Sequence, residues 1–324
     1  MRGLSGSYSR LLEVTNTRRT YVVPQYSYLE KRERYCHELA ELFRQNFQDQ
    51  LPSVIWQYTT AENLSKIVES NQLWFRHVSN LNDEREVLHS AHLSKVILSA
   101  HLTNDCYSQR VRRLLQAMKG RLFQNNREST WYSASFSKAE DDGCLWKRYG
   151  DRGKGIAIGF HTSELIKFLS PSPIDRVFPV HIIYSEKEAI NFGSLLLCHG
   201  IEAFNRDFAE IADDEAAISE FILNWGIHID VFSVAFKETV NWQVEKEFRL
   251  ARSLAKASDD LWKASKSSQS DSRCEALPIC SITVGPDAPD SRYRATVDFL
   301  AQTPHSSIPV FRSKHMPEKG ISNS

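Results

Sequence analysis

Short apolar runs of period two recur along this chain between stretches of helical period, but they never settle into regular strand–helix alternation, and no glycine-rich turn leads from a run into a helix. That absence excludes a doubly wound parallel sheet and predicts an α+β fold in a chain whose 324 residues, 41% of them apolar, can bury a large core. Ser27 with Glu30 has the spacing of a capping box and opens a predicted helix through Gln48, on which Leu29, Cys36, Leu39, Phe43 and Phe47 lie close to one face. Pro52 closes that unit. A strand is predicted over 53–58, Thr59 or Thr60 can cap a helix carrying Leu64, Ile67 and Val68, and a second strand covers 73–78. Asn82 and Asp83, the latter paired with Glu86, precede a long amphipathic helix.

A further helix over 104–124 alternates Arg110, Arg112, Arg113, Lys119 and Arg121 with Val111, Leu114, Leu115, Met118 and Leu122, the pattern of a solvated basic face on an apolar stripe. Beyond it come strands over 130–136, 155–160 and 177–184, an acidic turn at 140–143, a short helix ending in 146–150, and two or three helices filling 186–225. The serine- and lysine-rich stretch 256–273 reads as a disordered insertion, and strands over 279–284 and near 308–311 complete the sheet.

Charge and cysteine usage narrow the function classes. Forty acidic residues balance forty basic ones, so no global field draws the chain onto nucleic acid or an anionic membrane; Arg2, Arg10, Arg18 and Arg19 form at most a basic arm that reads as disordered. The six cysteines lie far apart with no C-x-x-C pair, which excludes a zinc or redox motif and reads as reduced thiols. No apolar run reaches the length of a membrane span and no secretory core is present. A cytoplasmic protein is expected, and one delivered into another cell would look the same.

The chemistry concentrates in 241–250. If this segment is extended, Glu245, Glu247 and Arg249 share one face while Val244, Lys246, Phe248 and Leu250 share the other. Such an acidic face suits a solvated strand edge, or the floor of a cleft that works on a sugar or a cation. Gly150 to Gly155 lacks the phosphate-loop spacing and precedes a strand, so it is a turn. His89 and His92 are the nearest approach to a metal pair and have no third ligand, so no metal is expected; G-x-S-x-G nucleophile motifs are absent. Aromatic, hydroxyl and carboxylate residues instead gather at expected strand ends: Tyr58, Thr59 and Thr60, Trp74 and Phe75, Asn82 and Asp83, Ser133 and Ser135, Trp146 and Tyr149, and Glu245 with Glu247.

The order of these motifs resembles the bacterial family of unknown function numbered 2971. The resemblance rests on Trp56-Gln57-Tyr58-Thr59, Leu81-Asn82-Asp83 with Glu86, Ser135-Phe136-Ser137, Trp146, Tyr149 and Gly150 followed by Gly155, Gly159 and Phe160, then Glu245, Glu247, Phe248 and Arg249, and finally Gly285-Pro286, spanning about 54–311. That family is in turn similar in pattern to ADP-ribosyltransferase-like domains. The resemblance implies a bent or split, mostly antiparallel sheet with a central cleft holding NAD as substrate, flanked by helices that include an insertion over 186–228. It implies an arm and helix over 1–52, the catalytic-type domain over 53–313 and a disordered tail over 314–324.

By the same resemblance Glu247 is the catalytic carboxylate and Glu245 its partner, Gln57 or Tyr58 with Thr59 holds the adenosine ribose, and Ser135 takes the middle-strand role. Trp146 or Tyr149 would stack on nicotinamide, with Asn82 and Asp83 also at the site, and Arg249 would hold pyrophosphate or pair with a glutamate. The family's first strand usually has a histidine where this chain has Gln57, which can bond a ribose hydroxyl but cannot carry a proton. Three functions compete: an NAD-consuming transferase of toxin or antiphage type acting on a protein or nucleic acid or on water, a non-enzymatic partner-binding module, and a metal-dependent hydrolase or nuclease using Asp83, Glu84 and Glu86.

Overall fold

A computed structural model describes residues 25–46, 51–78, 84–124, 131–170, 177–229, 232–237, 242–253, 261–264 and 276–315. In chain order the elements are α1 (Gln25–Asn46), β1 (Val54–Thr59), α2 (Ala61–Ser70), β2 (Leu73–His77), α3 (Glu84–Leu102), α4 (Gln109–Gln124), β3 (Trp131–Ser137), α5 (Gly143–Arg148), β4 (Ile156–His161) and α6 (Thr162–Leu169). They continue with β5 (Phe178–His181), α7 (Glu186–Phe208), α8 (Asp214–Ile229), α9 (Phe232–Ala235), β6 (Glu247–Ser253), β7 (Leu261–Ala264), β8 (Ile279–Val284), α10 (Asp290–Ala301) and β9 (Val310–Arg312). The class is a mixture of helices with one open, mostly antiparallel sheet, in the order β5-β6-β3-β1-β4-β8-β9. Only β8 and β9 pair in parallel among the named strands.

The sheet forks at β3. Along one edge β3 pairs with β6 from Trp131 to Ser137. On its other edge it pairs with β1 through Trp56↔Ser137 at one end and with β2 through Arg76↔Ser133 and His77↔Tyr132 at the other, and β2 in turn carries β7. The strands β1 and β2 therefore leave β3 at opposite ends.

Alternation sends the strand side chains to two faces. One face carries Ile55, Phe75, Tyr132, Ala134, Phe136, Ile158, Phe160, Phe248, Leu250 and Ile282, which pack with Leu64, Ile67 and Val68 of α2 and Leu165 and Leu169 of α6 into one core. Thr60 caps α2 by accepting from the Asn63 backbone N–H at 3.2 Å, which fixes where β1 ends. The opposite face is divided. Over β3, β5 and β6, Trp131, Phe178, Val180 and Ala251 pack under the helices α1, α3, α4, α7 and α8. Over β1 and β4, Trp56, Tyr58 and Ala157 pack under Leu145 and Trp146 of α5. Gly159 lies across from Trp56 on β4, and a Cβ there would stand 2.9 Å from the indole, so the glycine lets the ring lie over the strand.

Several elements differ from the sequence expectation. The helix α1 begins at Gln25, so Ser27 sits within its first turn instead of capping it. The acidic strand starts only at Glu247: Gln243–Glu245 forms a 3-10 turn and Lys246 adopts φ 45°, so the extended stretch does not reach back to Asn241. Within the predicted disordered insertion, β7 pairs with β2 over Leu73↔Ala264 to Arg76↔Leu261 because Leu-Trp-Lys-Ala keeps a strand's alternation inside a polar context. Lys314 and His315, expected in a disordered tail, are bonded to Asp141: the Lys314 N–H donates to its Oδ2 at 2.7 Å and His315 Nε2 lies 2.6 Å from its carbonyl oxygen. The basic face of α4 is tied down in part by ion pairs of Arg110 and Arg113 to Asp214 at the start of α8.

Candidate functional site

The gap between β1 and β2 holds a pocket of about 430 Å³ lined by residues from both faces of the sheet, within the range of about 300–1,000 Å³ usual for small-molecule sites. Its walls come from far apart in the sequence. β1 contributes Gln57, Tyr58 and Thr59; β3 contributes its central residues, with Ser135 exposed; Tyr149 follows α5; and Glu245, Glu247 and Arg249 close the far side. Of the residues expected at one site, Gln57, Tyr58, Thr59, Ser135, Tyr149, Glu245, Glu247 and Arg249 line this cavity.

Four buried charges form the floor. Glu245, Lys237, Glu247 and Arg249 are 4%, 5%, 6% and 2% exposed. The Lys237 ammonium donates to Glu245 Oε2 at 2.8 Å and to Glu247 Oε2 at 2.9 Å, bridging the two carboxylates. Arg249 donates from Nε to Glu247 Oε1 at 2.7 Å, from Nη2 to Glu247 Oε2 at 3.2 Å, and from Nη1 to the Val234 carbonyl at 3.3 Å. On the other carboxylate, Tyr149 donates its hydroxyl to Glu245 Oε1 at 2.6 Å and Arg148 donates to the same oxygen at 3.0 Å. The ring of Trp242 lies beneath two cations, 4.4 Å from Lys237 and 5.2 Å from Arg148. Burying two carboxylates this deep is costly unless cations and hydrogen bonds compensate, as they do here.

Burial is the largest single influence on the Glu247 carboxyl and pushes its pKa up, but the charges of Arg249 and Lys237, with hydrogen bonds from Arg249 and Ser135, outweigh it and hold the group at about 2. The sign follows directly: a carboxylate depressed from the ordinary 4.5 contributes its full stabilisation above that pH and loses it as pH falls toward about 2. Acid titration of the folding free energy should therefore show a loss on the order of 3 kcal/mol across that window. Glu247→Gln should flatten it; an unchanged acid limb in the variant would mean that other carboxylates carry the transition. Burial, and then the Glu245 carboxylate it bonds, push the Tyr149 phenol well above its ordinary value, so it remains a donor.

The other expected site residues divide into two groups. Gln57 lines the pocket and its buried Oε1 has no hydrogen-bond partner. Thr59 also lines it, with Oγ1 accepting from Asn63 Nδ2 at 3.0 Å. Tyr58 presents its ring, but its hydroxyl donates to the Ala139 carbonyl and accepts from the Asp142 N–H, both at 3.0 Å, so it pins the acidic turn to β1. Trp146 departs from the expectation of a stacking surface. It is 1% exposed beneath Tyr58, with ring centroids 4.8 Å apart, and donates its indole N–H to Asp141 at 2.6 Å. Asp142 caps α5 by accepting from the Cys144 N–H at 2.9 Å, orienting the helix that presents Tyr149. Asn82 and Asp83 lie outside the described residues, as does the side chain of Glu86.

Sequence reasoning singled out Trp74 and Ser133 only within the wider set of strand-end residues and missed Lys237, Trp242 and Arg76; all five line the pocket. The one signal for Lys237 was a lone cation ending the apolar run 231–236. A parallel bridge between Ile183 and Phe236 places it, with the Lys237 N–H donating to the Ile183 carbonyl at 3.2 Å. Among the described residues no group of three or more histidine, cysteine, aspartate or glutamate side chains could hold a metal ion, and no helix is long and apolar enough to cross a membrane.

No curated protein and no solved structure matches the chain. The stretch 145–250, which holds Tyr149, the four buried charges and Trp242 but leaves β1, β2 and β3 outside, is similar to the family described as Protein of unknown function (DUF2971).

Proposed function

We propose that the pocket binds NAD and that the chain cleaves its nicotinamide–ribose bond, passing ADP-ribose to a protein or nucleic-acid acceptor or to water, as toxins and defence enzymes of the ADP-ribosyltransferase-like kind do. The observation that carries this reading is the meeting of Gln57, Tyr58 and Thr59 with Glu245 and Glu247 around one cavity. In this reading the fork is the cleft of a split sheet and the helices over 186–228 are its insertion. The residues suit the substrate: the unsatisfied Gln57 Oε1 can accept from a ribose hydroxyl, and Ser135 borders the acidic end. As nicotinamide departs with the bonding electrons, positive charge grows on the ribose, and an ionised Glu247 stabilises that charge more than it does the ground state. Capture by water or an acceptor hydroxyl releases a proton, a role this reading assigns to Glu245.

One observation favours a second reading, a binding module without turnover: both oxygens of Glu247 are already bonded to buried cations. Release of nicotinamide from NAD by the purified chain separates the two. Turnover is expected, and Glu247→Gln, assayed at a temperature where its thermal unfolding shows it folded, should lower it about 10²–10³-fold. No release from NAD, with or without cell extract as acceptor, would remove the enzymatic reading, and a retained NAD-dependent thermal shift would then support the module.

A further inference from the structure

Three of the aromatic residues that line the cavity, Trp56, Tyr58 and Phe136, are nearly closed off by packing at 6%, 9% and 4% exposure, while Trp242 is only half-buried. Its position is set by the turn that follows it. Gln243–Glu245 forms a 3-10 turn, the Ser137 hydroxyl donates to the Glu245 carbonyl at 2.7 Å, and the Lys138 N–H donates to the Lys246 carbonyl at 3.0 Å, so the turn is pinned to the end of β3. A ring held in this way loses little freedom when a ligand lies on it.

Two cations already lie against that ring. Lys237 and Arg148 stand 4.4 Å and 5.2 Å from its centre, and each is bonded to one oxygen of the Glu245 carboxylate, so both approach the indole from the side of that acid. The attraction between a cation and the electron-rich face of the indole is used there. A flat neutral ring on the cavity side gains the ordinary attraction of offset stacking. A positively charged ring gains less, because it would meet two like charges across the thickness of one indole.

We infer that Trp242 is the platform on which the pocket receives the flat ring of its ligand, and that Lys237 and Arg148 against it make a neutral ring preferred over a cationic one. For the identity of that ring, nicotinamide, the inference rests on the NAD reading and deepens it. The nicotinamide ring of NAD carries a positive charge. When its bond to the ribose breaks, the electron pair of that bond stays on the ring nitrogen, the ring becomes neutral, and the positive charge passes to the ribose. Water or an acceptor hydroxyl then closes the new C–O bond and gives up its proton. The platform therefore holds the departing ring more firmly than the bound one, an interaction that grows along the reaction and favours cleavage.

The test is calorimetric titration of the full chain with nicotinamide and with the cation made by methylating its ring nitrogen. Nicotinamide should bind, and the methylated cation should bind about fivefold more weakly or worse. Trp242→Leu should weaken nicotinamide by about threefold to tenfold, while Trp242→Phe keeps most of the affinity. Arg148→Gln should narrow the gap between the two ligands to about twofold, a change that the bulk of the added methyl group would not produce. Arg148 is exposed, and thermal unfolding like the parent's checks that each variant is folded. If Trp242→Leu unfolds, the parent's preference and its loss in Arg148→Gln decide the matter without it. Nicotinamide that fails to bind, a methylated cation that binds as well, a folded Trp242→Leu that binds like the parent, or a gap unchanged in Arg148→Gln would each overturn the platform. Release of nicotinamide from NAD is scored separately: Trp242-dependent nicotinamide binding without NAD cleavage leaves the platform standing and the enzymatic reading fallen. Cleavage with kcat and KM unchanged in a folded Trp242→Leu does the reverse.

Discussion

Lys237→Met is expected to destabilise the fold by about 3–5 kcal/mol, the range for removing one partner from a buried ion pair. Among the described residues and bonds the ammonium bridges both glutamates, and its loss leaves two nearly inaccessible carboxylates facing each other. Arg249 would still neutralise Glu247, but Glu245 would keep only the half-exposed Arg148 and the neutral Tyr149. Denaturant unfolding measures the loss. Combining Lys237→Met with Glu245→Gln should recover part of it, because the second change removes the repulsion exposed by the first. A cost below about 1 kcal/mol, without recovery in the pair, would mean that water reaches the floor and screens it as it does surface pairs.

The second large effect concerns Trp146. Truncation to alanine should cost about 3–5 kcal/mol, the usual loss for a buried aromatic in a packed core. Three contacts vanish together: the edge-on packing with Tyr58, the hydrogen bond to Asp141, and the support beneath Gly150, where even an added Cβ would stand 2.4 Å from the indole. Trp146→Phe should keep much of the packing and lose the hydrogen bond; under the proposed NAD reading it should also leave NAD affinity within about twofold of the parent, since the ring does not line the cavity. Loss of NAD binding in a stably folded Trp146→Phe would restore the indole to a direct role in the site.

The parts of the fold legible in the sequence were those where local pattern and environment agree. β1, β2, β3 and β8 emerged within a residue or two because β-branched and aromatic runs there are bounded by clear breakers. α6 and α10 escaped: α6 follows β4 without a break, and only Thr296 and Leu300 of α10 are buried, too few to mark a stripe. Alternation alone carried the acidic strand back through Lys246, whose positive φ leaves no trace in a hydrophobic pattern.

For the site, the paired carboxylates were legible because acids two residues apart share one face of an extended segment, although Glu245 reaches the floor from a 3-10 turn that precedes the strand. Their cation was not, since Lys237 reaches them through a bridge formed far along the chain. Trp146 was misjudged for a related reason. An aromatic beside a short helix reads alike whether it faces a ligand or the underside of Tyr58, and only the hydrogen bonds of Asp141 decide.

The forked sheet also has a mechanical implication. At the fork, β3 is the spine from which β1 and β2 splay, so a molecule wedged there braces three strands at once. The same three strands lead into α2, which follows β1, and carry β7, which hangs on β2, so the cavity sits where the connections of both outer elements begin.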